Sequence, residues 1–406
     1  MLLRFRTTNF ASIKDEQELS MVALDDHTDV ATSPVPLSKE RVLHTAGVFG
    51  PNASGKSNFI KAMTFGRAAV VESHQHWLPE DPIPRWPFHL DAQSRVAPSE
   101  FVFEFIQDQI RYEYGFSLND TNILEEWLFS WPKGRRIVLF ERSGLETEFG
   151  ASLTGPKAAI AELVRENSLF LSAAAANNQP QLRSVAAWFR RWSRVSPGRS
   201  YPAPMGPLDQ QTVSLLRYAD VGVIGTAMVE RAPFEDSGFK ARSRFELVHQ
   251  AQTDSGGESL PWVWESSGTQ AWLGLSRLAI SCLDEGRILT IDDLGGDLHP
   301  LLTAQLVGLF QDPRTNPRGA QLIFTGHDVN LLGRHVEYRL RRDQVWLTAK
   351  DAGGATKVYP LTEYGRVRDG VDDVEGRYLQ GRYGAVPFFD RALLEGILRQ
   401  PASDGA

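Results

Sequence analysis

Hydrophobic and polar residues alternate along the first third of the chain in the manner of β-strands. Residues 1–24 contain two short alternating stretches, and an apolar run extends from Val42 to Phe49. The segments Phe101–Ser117 and Ile137–Phe140 repeat with a period of two, which places their apolar side chains on one face of a sheet. The polar, proline-containing residues 25–41 are expected to form a loop. This part of the sequence predicts an antiparallel β subdomain.

The periodicity becomes helical beyond Gly155. Helices are expected at Pro156–Phe170, Gln181–Trp192, Leu208–Arg217 and Gln270–Glu285. The first three predict a helical insertion between the β subdomain and the last part of the chain.

Strands and helices alternate again towards the end. Strands are expected at Ile288–Ile291 and Gln321–Phe324, with the helix Leu301–Phe310 between them. A strand–helix–strand order is typical of a parallel sheet. Val345–Leu347 and Lys357–Tyr359 are expected to form a terminal hairpin. The whole pattern predicts an α/β protein with three parts, which are residues 1–150, 151–265 and 266–406.

A glycine-rich loop stands between the apolar run that ends at Phe49 and the predicted helix that follows. It has the pattern G-x-x-x-x-G-K-S and consists of Gly50, Pro51, Asn52, Ala53, Ser54, Gly55, Lys56 and Ser57. Glycines let backbone N–H groups turn towards phosphate oxygens, and the helix N-terminus adds free donors and its positive dipole end. Lys56 would contact the β- and γ-phosphates of ATP, and the Ser57 hydroxyl would ligate Mg²⁺. The flanking strand and helix favour this interpretation over a chance glycine-rich turn.

Two acids follow the strand Ile288–Ile291, as in a Walker B motif. Asp292 is placed to hold Mg²⁺, directly or through water, and Asp293 to orient the attacking water. His327 comes directly after the next strand and would donate a hydrogen bond to the γ-phosphate. Each of these three residues alone is weak evidence for a nucleotide site, but all three come after a phosphate loop in the sequence.

Ser267 and Gly268 stand at the start of the predicted helix that ends at Glu285. They could belong to an ordinary helix cap, or they could present a hydroxyl and N–H groups to an anion. The order of the motifs along the chain favours the second interpretation: phosphate loop, Ser-Gly, paired acids, histidine.

That order resembles the ABC-class ATPases of the RecF/SMC-like branch. The chain is also similar, over nearly its whole length, to AAA-type ATP-binding proteins of the AbiL-like and OLD-like defence families. The similarity rests on the segments LLRFRTTNFASIKDEQELSM, ESSGTQ, DDLGGDLHPLL, LIFTGHD, RRDQVW, KD–GG–TKVYPL and GRYLQGRYGAVP. The resemblance implies a P-loop ABC-type ATPase head with an antiparallel β subdomain and a helical insertion.

The resemblance also implies how such a head works. ATP and Mg²⁺ would bind between two heads of a homodimer or higher oligomer, with Ser267 and Gly268 of one head completing the site around Lys56 of the other. Hydrolysis would separate the heads. The switch would control a separate effector protein such as a nuclease, in antiviral defence or a toxin–antitoxin module.

Three departures from the family pattern leave alternatives open. Asp293 replaces the usual glutamate, and Asp297 replaces the usual serine before Leu-His-Pro. No glutamine stands clearly in a Q-loop, where Gln93 is the candidate. The chain could therefore be a scaffold that holds ATP with little turnover.

A RecF-like DNA-repair ATPase is a second alternative. The net charge of −7 does not favour nucleic acid. One mixed segment could still bind it by phosphate contacts and stacking, or could simply be an amphipathic helix. That segment contains Arg190, Arg191, Arg194 and Arg199 among Trp188, Phe189, Trp192 and Tyr201.

A third alternative, a self-contained nuclease, would need an acidic cluster. The acids Asp372, Asp373 and Glu375 are more typical of a solvated turn. His74 and His76 lack a third metal ligand nearby.

The composition of the chain limits the cellular compartments in which we expect the protein. The chain is 42% hydrophobic and 23% charged, which is ordinary for a globular protein. No apolar run approaches the ~20 residues that span a bilayer. The single cysteine, Cys282, excludes an intrachain disulfide and suits a reducing compartment. We therefore expect a cytoplasmic protein without membrane contact.

Overall fold

The computed structural model describes residues 1–24, 32–196, 201–219, 222–231, 242–252, 256–365 and 372–387. The strands within these ranges are β1 Leu2–Thr8, β2 Gln17–Ser20, β3 Thr32–Pro34, β4 Arg41–Leu43, β5 Thr45–Phe49, β6 Ser99–Gln107, β7 Ile110–Leu118, β8 Ile123–Trp131, β9 Ile137–Ser143, β10 Glu146–Phe149, β11 Trp192–Val195, β12 Val223–Arg231, β13 Arg242–Gln250, β14 Gly257–Pro261, β15 Ile288–Leu294, β16 Gln321–Gly326, β17 Val345–Lys350 and β18 Thr356–Pro360. The helices are α1 Lys56–His76, α2 Ala92–Val96, α3 Lys157–Ala161, α4 Phe170–Ala176, α5 Pro180–Arg190, α6 Gln210–Ala219, α7 Ser267–Glu285, α8 Pro300–Gln311 and α9 Val374–Leu379. The expected α/β class is confirmed.

A six-stranded sheet has the order β11-β15-β16-β5-β17-β18. Its first five strands are mutually parallel, and β18 returns antiparallel to β17. The predicted parallel unit β15–α8–β16 and the terminal hairpin β17–β18 are both present. Because parallel strands end at the same edge, the residues that follow β5, β15, β16 and β17 meet there.

A seven-stranded sheet has the order β10-β9-β8-β7-β6-β1-β2 and is antiparallel throughout. The period-two segment Phe101–Ser117 lies within its β6–β7 hairpin. The hairpin turns at Asp108 and Gln109, whose φ angles are 49° and 60°. Strands are therefore present where the sequence predicted them, although the grouping into a subdomain stays a prediction.

Helix α1 packs against both sheets. Its side chains Phe59, Ile60 and Met63 are fully buried, and the Phe59 ring lies 5.5 Å from that of Phe5 in the seven-stranded sheet. The helix also contacts β15 and β16 of the six-stranded sheet. Because α1 begins at Lys56, this packing fixes the position of the phosphate loop.

A buried carboxylate joins the seven-stranded sheet to α4. Glu126 accepts hydrogen bonds from the backbone N–H groups of Phe170 (2.6 Å) and Leu171 (2.8 Å), at the start of that helix. The Tyr114 hydroxyl and the Arg142 guanidinium also donate to it, at 2.9 and 3.2 Å. A negative charge at a helix N-terminus is stabilising, and here every polar atom of the buried group has a partner.

The interval 151–265 is not only helical, contrary to the prediction. It contains α3 to α6, but also β11 and an antiparallel sheet with the order β12-β13-β14. Strand β11 pairs in parallel with β15, so the segment contributes directly to the six-stranded sheet. A boundary at residue 265 therefore separates β11 from its partner β15, and one at residue 151 separates β5 from its partner β16.

Two smaller predictions also differ from the structure. The predicted loop over residues 25–41 contains β3, which pairs with β4, while residues 25–31 lie outside the described part. The helix expected over Pro156–Phe170 is divided into α3 and the start of α4.

Candidate functional site

The loop Gly50–Ser57 connects β5 to α1 at the common edge of the parallel strands. Gly50 and Gly55 have φ angles of 156° and 106°. A Cβ atom on Gly50 would clash with Thr348, and one on Gly55 would clash with Thr356. Only glycine fits at these two positions, because both the backbone conformation and the space demand it.

Thr348 and Thr356, which we call the threonine pair, hold this loop from the terminal hairpin. The Thr348 hydroxyl lies 2.6 Å from the hydroxyl of Ser54, and Thr356 donates to the Ser54 carbonyl at 2.9 Å. Ser12 links the pair to α1, because its hydroxyl is 2.7 Å from that of Thr356 and accepts from Asn58 Nδ2 at 2.8 Å. The hairpin therefore holds the loop directly, and Ser12 connects the hairpin to the helix that follows the loop.

The predicted magnesium ligands lie together. The hydroxyl of Ser57 donates to Asp292 Oδ1 at 2.8 Å, and Thr325 donates to the same oxygen at 2.7 Å. Hard oxygen ligands of this kind suit Mg²⁺, which completes its octahedron with water and phosphate oxygens. The described residues contain no group of three His, Cys, Asp or Glu side chains that could hold a metal alone. The oxygen atoms of Ser57 and Asp292 fit a Mg²⁺ ion that is bound together with a nucleotide.

Asp293 has an unusual backbone for a non-glycine residue. Its φ is 65°, in the left-handed region that aspartate enters more readily than most residues. Its N–H donates to Thr325 Oγ1 at 2.8 Å, and the residue is exposed. The conformation gives a physical reason for aspartate at this position.

A cavity of about 420 Å³ covers this edge of the sheet and has a volume typical of ligand sites. It is lined by Asn52, Ala53, Gly55, Lys56, Ser57, Asn58, Asp293, Thr325, His327 and Lys350. The structure therefore brings the phosphate loop, the second acid and the histidine together around one space. Lys350 begins the segment KD–GG–TKVYPL, but sequence reasoning assigned it no role in the site, because a lysine in a predicted hairpin does not by itself indicate a ligand.

Two side chains in the cavity have lowered pKa values. Lys56 is buried and donates to the carbonyls of Gly50 (2.7 Å) and Pro51 (3.0 Å). Burial lowers the pKa of its ammonium to about 8, although Asp293 and Asp292 act in the opposite direction. Partial burial, and then the charge of Lys56, lower the pKa of His327. A neutral His327 at neutral pH can still donate one hydrogen bond.

We expect ATP affinity to fall as the pH rises through about 8. Below that pH Lys56 is an ammonium in the free protein, and above it the lysine becomes neutral. A bound phosphate raises the pKa of Lys56, so binding above pH 8 requires proton uptake, and affinity falls by up to about tenfold per pH unit. Titration calorimetry in buffers of different ionisation enthalpy measures both the affinity and the proton uptake. Constant affinity and no proton uptake on both sides of that pH would contradict the assignment.

Ser267 and Gly268 lie outside this cavity. Ser267 is the exposed first residue of α7, which Ser266 caps by accepting from the Thr269 N–H at 3.0 Å. A Cβ on Gly268 would lie 3.3 Å from the carbonyl oxygen of Asp297. Gln93 is exposed on α2 and does not line the cavity in the described part of the chain.

The arginine- and tryptophan-rich segment packs as an amphipathic helix end. Trp188, Phe189 and Trp192 are buried, so these three rings are not available for bases to stack on. Arg191 donates to the carbonyl of Glu285. Arg199 lies outside the described residues.

The acidic turn near the end of the described chain has structural contacts. Asp372 pairs with Arg377 at 2.9 Å, and Asp373 caps α9 by accepting from the Gly376 N–H. These contacts favour the solvated turn over a metal site.

A family model described as "AAA domain, putative AbiEii toxin, Type IV TA system" matches residues 46–333, which is more than half of the chain. The matched range includes the phosphate loop, Ser267, both acids and His327. No match was found among curated proteins. Within the described residues, no helix has the length and apolar character required to cross a membrane.

Proposed function

We propose a function from the premise that the chain belongs to this family of AAA ATPase domains associated with type IV toxin–antitoxin systems. The chain is an ABC-type ATPase head that dimerises on ATP and controls a separate effector, in a toxin–antitoxin module or antiviral defence. The observation that carries this proposal is the cavity in which Lys56, Ser57, Asp293 and His327 surround one space.

Each side chain has a role that its position supports. Lys56 exchanges the carbonyls of Gly50 and Pro51 for phosphate oxygens, which gain more from an ammonium than neutral carbonyls do. Ser57 and Asp292 would hold Mg²⁺, which would neutralise developing charge on the phosphates. Asp293 orients the attacking water, and His327 donates to the γ-phosphate.

The exposed start of α7 supports head–head association. The first-turn N–H groups beside Ser267 and Gly268 have no helical acceptors and suit an anion. Just before them, Val263 and Trp264 are 79% and 70% exposed. An apolar pair beside free donors fits a surface that a second head covers when ATP is bound.

Ser267→Arg should prevent ATP-dependent dimerisation while leaving ATP binding intact. The large charged side chain would occupy the space that the γ-phosphate of a second head needs. The experiment is sedimentation velocity with and without ATP, in the hydrolysis-blocked background Asp293→Asn.

Ser214→Arg is the matched control, because Ser214 is an exposed helical serine on α6 that lies outside the cavity. It should dimerise like the parent. Equal ATP-dependent association of the Ser267 and Ser214 variants would reject the composite site.

A scaffold that holds ATP without turnover is the second candidate, and the shorter acid Asp293 favours it. Phosphate release separates the two functions. Steady release that depends on Asp293 supports the switch, whereas tight binding with no release supports the scaffold.

A further inference from the structure

Lys350 lies on the wall of the nucleotide cavity but outside the range that matches the family. It is the exposed last residue of β17. Its ammonium forms no hydrogen bond or ion pair with any residue that the structure describes. A charged group that faces a cavity and has no protein partner there is available to a ligand.

The order of strands decides which part of a nucleotide Lys350 can reach. β5, which leads into the phosphate loop, has β16 on one side and β17 on the other. The acids and His327 follow β15 and β16, so they lie on the side opposite to Lys350. With neighbouring strands about 4.8 Å apart, β16 and β17 are separated by about 10 Å.

The threonine pair fixes the backbone around Lys350 relative to the loop. Thr348 precedes it by two residues, and Thr356 is its cross-strand partner in the hairpin. Both threonines contact Ser54 of the phosphate loop. The backbone at Lys350 is therefore fixed relative to the phosphate loop, and the long side chain of this lysine can reach the phosphates of a bound nucleotide.

We propose that Lys350 is a nucleotide-binding residue that contacts the phosphate nearest the nucleoside. This inference rests on the proposed function, because magnesium at Ser57 and Asp292 would draw the γ-phosphate to the opposite side. The α-phosphate end is common to ATP and ADP. Lys350 therefore contributes to the affinity for both nucleotides, without selecting the triphosphate.

The test is titration calorimetry of ATP and ADP with Lys350→Gln. Both affinities should fall by about three- to tenfold, since an exposed ammonium–phosphate contact is worth more than a median surface pair but less than a buried one. The loss should shrink at high salt, which screens exposed charges. Lys350→Arg keeps the charge and should restore most of the affinity.

Lys357→Gln is the matched control, because Lys357 is exposed on the partner strand β18 and lies outside the cavity lining. It should bind as the parent does. If the affinity of Lys350→Gln for both nucleotides is unchanged, or falls for ATP alone, the inference is wrong. The proposed function still stands in that case, provided that Lys56→Ala fails to bind ATP. Failure of the parent to bind either nucleotide overturns both.

Discussion

Replacing Lys56 with alanine is expected to abolish ATP binding or weaken it at least tenfold. The ammonium is the buried cation of the cavity, and charge-assisted contacts to phosphate exceed the ~1.4 kcal/mol that corresponds to tenfold in affinity. The change also removes the donor from the carbonyls of Gly50 and Pro51, which loosens the loop in the nucleotide-free protein. Titration calorimetry with ATP and Mg²⁺ measures the loss.

Lys61→Ala provides the control for that experiment. Lys61 is on the same helix, α1, but does not line the cavity in the described structure. It should retain parental affinity. Equal binding by the Lys56 variant and the parent would exclude the phosphate loop as the binding site.

Asp293→Asn is expected to lower ATP turnover about a hundredfold without weakening ATP binding. A neutral amide cannot orient and polarise the water as a carboxylate does, and a comparable loss follows from a ~1 Å misplacement of such a group. Asparagine tolerates the left-handed backbone as readily as aspartate, so the fold of this turn is preserved. Single-turnover phosphate release, together with calorimetry, separates the rate from the affinity.

Asp297→Asn distinguishes the two nearby acids. Asp297 is exposed and lies beside the N-terminal turn of α7. It lines a second cavity of about 250 Å³ together with Asp292 and Asp293. If the rate is lost in the Asp297 variant and kept in the Asp293 variant, the water-orienting role belongs to Asp297.

Much of the candidate site follows from local sequence together with one rule of architecture. The phosphate loop is a contiguous motif, and Asp292, Asp293 and His327 each follow a recognisable apolar strand. Since parallel strands end at one edge, their meeting could be predicted before any distance was known. The roles assigned to these residues stay predictions.

The features that could not be predicted depend on contacts between distant parts of the chain. Such contacts leave no local pattern in the sequence. Thr348 and Thr356 look like ordinary strand residues until the hairpin packs on the loop. Trp192 was expected to end a helix, yet it begins β11, where its indole donates to Thr290 on the neighbouring strand β15 at 3.3 Å. The carboxylate of Glu126 was not singled out, because its partners at the start of α4 lie 44 and 45 residues later in the chain.

The contacts between the terminal hairpin and the phosphate loop can form only late in protein synthesis. Ser54 and its partners Thr348 and Thr356 are separated by 294 and 302 residues. A ribosome adding about 5–20 residues per second needs roughly 15 to 60 s to cover that interval. Throughout it, the nascent chain carries the whole motif without the contacts that shape the loop. We therefore expect that products of interrupted translation that lack the hairpin bind ATP less tightly than chains that contain both of its strands.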